Sequence, residues 1–213
     1  MGTAGHWDEL FSDRPSRSFG WYEDEPSTLV DVLALSEPSD SVIDVGAGTS
    51  FLVDRLLDRG YGDITLVDLA PSALDEVARR LEGDARADGV DMSACDVADL
   101  GGHRTWNVWH DRAVFHFMVE PAQRAAYLAA LDRSLAPDGV AVIATFAPDG
   151  PGSCAGLPVE RYDAAGLADV FAGVLEPLEC RVKAVTDDDL DRRPYTICRF
   201  RRSATRSTQE VDS

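Results

Sequence analysis

Apolar residues fall into two rhythms along the chain, and the two alternate. Residues 41–45 form a short apolar run that leads into Gly46-Ala47-Gly48. From 50 to 57 the apolar positions Phe51, Leu52, Val53, Leu56 and Leu57 then take helical spacing. This reads as strand, glycine turn, helix. The alternation repeats, with strands expected at 64–67, 90–94 and 106–110 and helices at 71–81 and 121–135. Such alternation implies a parallel, doubly wound α/β sheet. Pro137-Asp138-Gly139 is a turn signal, after which 140–146 reads as the central strand. A Pro/Gly-rich loop at 147–158 follows, long enough to be functional.

The two ends depart from this rhythm. Residues 18–35 turn apolar at Leu29, Val30, Leu33 and Leu35 behind Pro26, and read as a leader helix. Residues 163–171 look helical. Two strand-like runs follow, 178–185 and 195–200, separated by an acidic stretch and expected to pair antiparallel. Residues 203–213 are polar and aperiodic, as a disordered tail would be. The expected organisation is a leader or lid at 1–40, a single α/β domain at 41–202 and a tail at 203–213.

Length and composition change this picture little: 213 residues with 45% hydrophobic content suit one globular domain, and no window approaches a bilayer span. The N-terminus, with His6, Trp7, Asp8 and Glu9 in its first ten residues, lacks the basic-then-apolar order of an export signal, so a cytoplasmic protein is expected. Charge matters more. A formal net charge of -18 and a pI near 4.4 would repel a phosphate backbone, which argues against nucleic acid as a partner. Lys183 is the only lysine among the 20 basic residues, a skew that fits either a salt-adapted host or a GC-rich genome. Cys95, Cys154, Cys180 and Cys198 stand far apart without zinc-finger spacing, and read as reduced thiols.

The chemistry concentrates where the first strand meets its turn. Asp44 closes that strand beside Gly46 and Gly48, and Asp68 closes the next one, 20 residues beyond Gly48 (68 minus 48), where a carboxylate can accept from ribose hydroxyls. Phe51 stands where a dinucleotide site needs its third glycine. An anion at Asp44 would also repel a pyrophosphate while attracting an ammonium and a sulfonium.

On these residues the chain resembles the class I S-adenosylmethionine-dependent methyltransferases, whose first motif is similar to Asp44-Val45-Gly46-Ala47-Gly48-Thr49-Ser50 and whose second ends in Asp68. Within that superfamily it resembles a subgroup of small methyltransferases marked by Trp7-Asp8, by Trp21-Tyr22, by the run from Trp109 to Phe117 and by Ala-Thr-Phe-Ala-Pro-Asp-Gly-Pro at 144–151. The resemblance implies a Rossmann-like, seven-stranded, mostly parallel sheet whose last strand is reversed. It implies S-adenosylmethionine as cofactor, held by Asp44, Gly46, Ala47, Gly48, Ser50, Asp68, Leu69, Asp96, Val97 and Trp21. It also implies that His110, Asp111 and Arg112 border the methyl group. One departure is Ser50, which replaces the third glycine of the common motif.

Other residues admit a functional and a plain reading. Trp21 and Tyr22, among Glu23, Asp24 and Glu25, could form a flap over a cationic ligand or simply pack. His110 is the candidate general base and Arg112 an anion contact, whereas His116 fits a satisfied core histidine among Val114, Phe115, Phe117 and Met118. Cys154 is not expected to be a nucleophile. Asp187-Asp188-Asp189 lacks the ligand spacing of a metal loop, and no metal is expected. The leading expectation is a methyltransferase acting on a small-molecule acceptor. The alternatives are a protein lysine methyltransferase, whose basic partner the acidic surface would attract, and a regulatory protein that binds the cofactor without using it.

Overall fold

The computed structural model describes residues 2–100, 104–183 and 193–204. Seven strands form one sheet: β1 (Val42–Val45), β2 (Ile64–Asp68), β3 (Val90–Ala94), β4 (Trp106–Arg112), β5 (Leu135–Phe146), β6 (Leu175–Lys183) and β7 (Tyr195–Arg202). Their order across the sheet is β3-β2-β1-β4-β5-β7-β6. Pairings among β1 to β5 are parallel, and β7 runs antiparallel to both β5 and β6. This is the doubly wound sheet with a reversed last strand that pattern and resemblance imply.

The central strands are buried on both faces, which is why they read as continuous apolar runs. Their pleat sends alternate residues to two separate cores. Val42, Leu66, Val108 and Val142 pack with the helices α3 (Leu52–Leu57) and α4 (Pro71–Leu81). Ile43, Trp109 and Ile143 pack instead with α5 (Pro121–Ser134) and α6 (Ala164–Phe171), through Tyr127, Leu131, Leu167 and Phe171. Pro71 and Pro121 each open their helix in its first turn, where a missing N–H loses no bond. Among the described residues no helix is long and apolar enough to cross a membrane.

Several expectations need correction. The leader is not one helix over 18–35. It is α1 (Ala4–Asp13), a 3-10 turn at Ser16–Ser18 and a short α2 (Leu29–Leu33). The chain between must stay irregular because Phe19 and Tyr22 are buried where it crosses the domain. β4 extends through Asp111 and Arg112, which therefore lie on the strand and not after it. β5 begins at Leu135, and Pro137-Asp138-Gly139 falls within an irregularity of its pairing with β4, between the partners of Trp106 and Val108. Cys180 and Cys198 are joined in a disulfide and are not reduced thiols. They are direct cross-strand partners with Cα atoms 4.1 Å apart, a proximity set by the register of β6 and β7. The loop at 147–158 holds a small antiparallel ribbon, Ser153–Cys154 against Leu157–Pro158. Asp187-Asp188-Asp189 and most of the expected tail, residues 205–213, lie outside the described residues.

Candidate functional site

The glycine turn after β1 is built by backbone that strongly favours glycine. Gly46 and Gly48 have φ of +64° and +52°, and a Cβ at Gly46 would lie 2.0 Å from Val114 Cγ2. Four of the turn's amides, those of Gly46, Ala47, Gly48 and Ser50, are spent inside the protein. Gly46 and Ala47 both donate to Val67 O, at 2.7 and 3.1 Å, and Ser50 donates to Ala47 O at 3.1 Å. Gly48 donates to Asp68 Oδ2 at 2.8 Å. A pyrophosphate site needs such amides turned towards the ligand, and these four are not.

Above this turn, at the carboxyl edge of the sheet, lies a cavity. Asp44, Asp68, His110 and Arg112 line it, together with the turn itself at 46–50. Leu69, Asp96 and Val97 line it on the β2 and β3 side, and Trp21 on the leader side. Every cofactor residue named from the sequence therefore borders one space, although the residues span 21 to 97 in the chain. Of the three residues named as catalytic, His110 and Arg112 reach the cavity and Asp111 does not. The strand pleat turns Asp111 into the opposite core, where it is fully buried. There it accepts from Val114 N at 3.0 Å, from Phe115 N and from the Tyr127 hydroxyl at 2.6 Å. Burial outweighs these bonds and pushes its carboxyl up from 3.8 to about 6.

The electrostatics near the turn are those of a partly dry site. Burial raises the Asp68 carboxyl above its ordinary value, the charge of Asp44 adds to this, and the amides of Ala70 and Gly48 oppose it. Asp44 and His110 face each other in register on β1 and β4, with His110 Nδ1 2.6 Å from Asp44 Oδ1. The other ring nitrogen, Nε2, lies 2.8 Å from the Thr28 hydroxyl. A general base needs a free nitrogen facing its substrate, whereas both nitrogens of His110 are engaged. Asp96 spends one carboxylate oxygen capping the 3-10 turn at Val97–Asp99, accepting from Ala98 N at 2.9 Å.

Arg112 sits between leader and sheet: Nη1 donates to Trp21 O at 3.2 Å, Nε lies 3.3 Å from Glu23 Oε2, and the guanidinium stands over the Tyr195 ring. Burial alone would push the Glu23 carboxyl up. Arg112, the Ser27 amide and Lys183 outweigh it and hold the carboxyl below its ordinary value. His116 is fully buried between Phe117 and Phe146, with Nδ1 accepting from Phe146 N. Burial, and then the charges of Arg193 and Arg112, lower its pKa to about 3, so the ring is neutral.

Sequence reasoning missed the helix that covers the cavity. Trp7 and Phe11 of α1 line it, and Phe11 Cζ would lie 3.3 Å from a Cβ at Gly48. Thr3 caps α1 by accepting from His6 N at 3.2 Å. Asp8 holds α1 to the domain by accepting from Ser72 N, in the first turn of α4, at 2.9 Å. The signal was present in the helical spacing of Trp7, Leu10 and Phe11 behind a capping threonine. Cys154 also lines the cavity, with Arg193 Nη1 3.6 Å from its sulfur.

Comparison with known proteins bears on what this cavity is. Residues 43–141 match the family model of a methyltransferase domain. The chain is 27% identical over 153 residues to the eEF1A lysine and N-terminal methyltransferase of Danio rerio, a match covering 70% of this chain and 22% of that protein. It is 28% identical over 123 residues to the malonyl-(acyl-carrier protein) O-methyltransferase of Acetivibrio thermocellus, covering 56% of this chain and 41% of that one. The chain thus spans about a fifth of the length of the first relative and under half of the second. Among solved structures, the Burkholderia thailandensis 1,6-didemethyltoxoflavin-N1-methyltransferase superposes with a TM-score of 0.67 at 24% identity, over 92% of this chain and 81% of that one. The N-methyltransferase NodS from Bradyrhizobium japonicum gives 0.70 at 15% identity, over 92% and 98%. Residues 43–141, a little under half of the chain, thus resemble a methyltransferase domain, and the described chain shares the fold of these solved methyltransferases.

Proposed function

We propose that the chain transfers a methyl group from S-adenosylmethionine to a small-molecule acceptor, leaving S-adenosylhomocysteine. The observation that carries this reading is the pair of carboxylates, Asp44 and Asp68, flanking a glycine turn four of whose amides are committed elsewhere. That donor set suits an adenosyl group bearing an ammonium and a sulfonium, and it suits a pyrophosphate badly. When bound, S-adenosylmethionine supplies a methyl group made electrophilic by its positive sulfur.

The protein's part is then to bind, orient and exclude water. In this reading Asp44 holds the ammonium and Asp68 the ribose hydroxyls. Leu69, Asp96 and Val97 flank the adenine, and Gly46, Ala47, Gly48 and Ser50 let backbone approach the ligand. Trp21, with α1, forms the cover. Arg112 meets an anionic group of the acceptor. His110 serves by holding Asp44, and Asp111 supports the turn after β4 from the far face. The Trp7-Asp8, Trp21-Tyr22 and 109–117 motifs support membership of one small-methyltransferase subgroup, and a cytoplasmic location belongs to the same reading.

A compact acceptor fits the closeness of the leader and the 147–158 loop, since a Cβ at Gly2 would lie 2.8 Å from Leu157 Cδ1. The Burkholderia neighbour, with bound 1,6-didemethyltoxoflavin, supports it by analogy. A second reading, methylation of a protein lysine, is favoured by the eEF1A lysine methyltransferase relatives and by the net charge of -18, which would attract a basic partner.

Calorimetric titration with S-adenosylhomocysteine and with NAD tests the cofactor. Heat with the first alone is expected, and tight uptake of NAD without it would overturn the reading. Methyl-labelled S-adenosylmethionine and a broad extract test the acceptor. Label in small molecules is expected, and label in basic proteins would favour the second reading. Binding without any transfer would indicate a regulatory protein.

A further inference from the structure

Thr28 belongs to the leader, one residue before α2, yet its side chain is fully buried. From it a line of polar contacts runs into the sheet: the Thr28 hydroxyl to His110 Nε2 at 2.8 Å, then His110 Nδ1 to Asp44 Oδ1 at 2.6 Å. His110 and Asp44 are each only 3% exposed, so water does not compete for these bonds. Among the described residues Asp44 Oδ2 has no protein partner, and Asp44 lines the cavity.

The protons along this line follow from the chemistry of its end. An ionised carboxylate has no hydrogen to give, so Nδ1 carries one and donates it to Asp44. Nε2 and the Thr28 hydroxyl share the second bond, at 2.8 Å. The ring cannot turn without breaking two bonds in a dry site.

The far end of the line is also fixed. Leu29 and Val32 of α2 are buried in the core, and Asp31, 3% exposed, pairs with Arg181 of β6 at 2.5 Å. Thr28 is therefore a post anchored to the sheet, unlike the aromatic cover that precedes it.

The geometry points to Thr28 and His110 as positioning residues that set the Asp44 carboxylate against the amino-acid end of bound S-adenosylmethionine, an inference resting on the cofactor reading above. The leader then contributes to affinity through a hydrogen-bonded line as well as by covering the cavity.

Two ligands separate this role from a merely structural one. S-adenosylhomocysteine carries the amino-acid chain, and 5′-methylthioadenosine keeps the adenosine and the sulfur but lacks that chain. Thr28→Val preserves shape and removes the hydroxyl. It should weaken S-adenosylhomocysteine about tenfold and leave 5′-methylthioadenosine within about twofold of the parent protein. Thr28→Ser should restore binding. Equal loss for both ligands, or no loss for either, overturns the proposal.

If Thr28→Val does not fold, nitrogen-15 NMR of the parent protein decides the matter. A proton on His110 Nδ1 is expected, and protonation at Nε2 alone overturns the proposal. A parent protein that binds neither ligand defeats the cofactor reading itself, which separates that failure from failure of the relay.

Discussion

Two buried carboxylates stand one strand apart and face opposite ways. Asp111 turns towards α5, where two amides and the Tyr127 hydroxyl bond to it, and Tyr127 in turn accepts from Trp109 Nε1 at 2.9 Å. Asp44 turns towards the cavity, where His110 holds one of its oxygens. Both are costly to bury, and they differ in whether the fold itself uses up their lone pairs. A carboxylate saturated by its own chain is a strut, and one with capacity facing a cavity is available to a ligand. Residues 110 and 111 are adjacent in sequence, and the pleat alone sends one to each region.

The largest expected effect breaks the strut. Asp111→Ala leaves the Tyr127 hydroxyl hydrogen and two amides without an acceptor in a closed core, and should lower stability by about 3–5 kcal/mol in urea titration. The affinity of the folded fraction for S-adenosylhomocysteine should hardly change. A stable Asp111→Ala protein that has lost the ligand would reverse the two roles.

On the ligand side, Asp68→Ala removes the tether of Gly48 and, on the proposed cofactor reading, the acceptor for ribose hydroxyls. Affinity for S-adenosylhomocysteine should fall by more than about a hundredfold, as read by calorimetry. Binding at parental strength would remove the carboxylate pair from the site.

Proton linkage sharpens the contrast. Burial raises Asp111 from 3.8 to about 6, so the folded state holds this proton more tightly than the unfolded state does. Its contribution is most favourable below about pH 4 and declines as pH rises to about 6, beyond which the penalty is constant. Relative to Asp111→Asn, the parent protein should lose about 2–3 kcal/mol across that window. A pH-independent difference between the two would mean that Asp111 ionises normally.

The smallest effect concerns the cover. Trp21 stacks on Phe19 at 4.6 Å and backs onto the cavity. Trp21→Ala should weaken S-adenosylmethionine about fivefold, the worth of one aromatic face against a sulfonium, with little change in melting temperature.

Much of the sheet was legible because strands buried on both faces have no choice of pattern. β3 and α4 fall at the bounds that spacing predicts, and the antiparallel closing pair follows from two apolar runs without an intervening helix. The glycine turn was legible because positive φ leaves few residue choices. The leader was not, since its irregular path is dictated by where Phe19 and Tyr22 find burial, and no local spacing encodes that. Nor was the disulfide, because a separation of 18 residues says nothing about register.

By itself, then, the sequence determined which residues form the strands and flanking helices of the sheet, where its first strand must turn, and which two carboxylates stand at the ends of β1 and β2. Those are local matters, governed by spacing and by allowed φ and ψ. Tertiary structure decided that α1 covers the cavity, that both nitrogens of His110 are engaged, and that Asp111 faces away from any ligand. Each of these depends on distances between residues far apart in the chain and on which side of the sheet a side chain emerges, and the packing of the whole sheet fixes both.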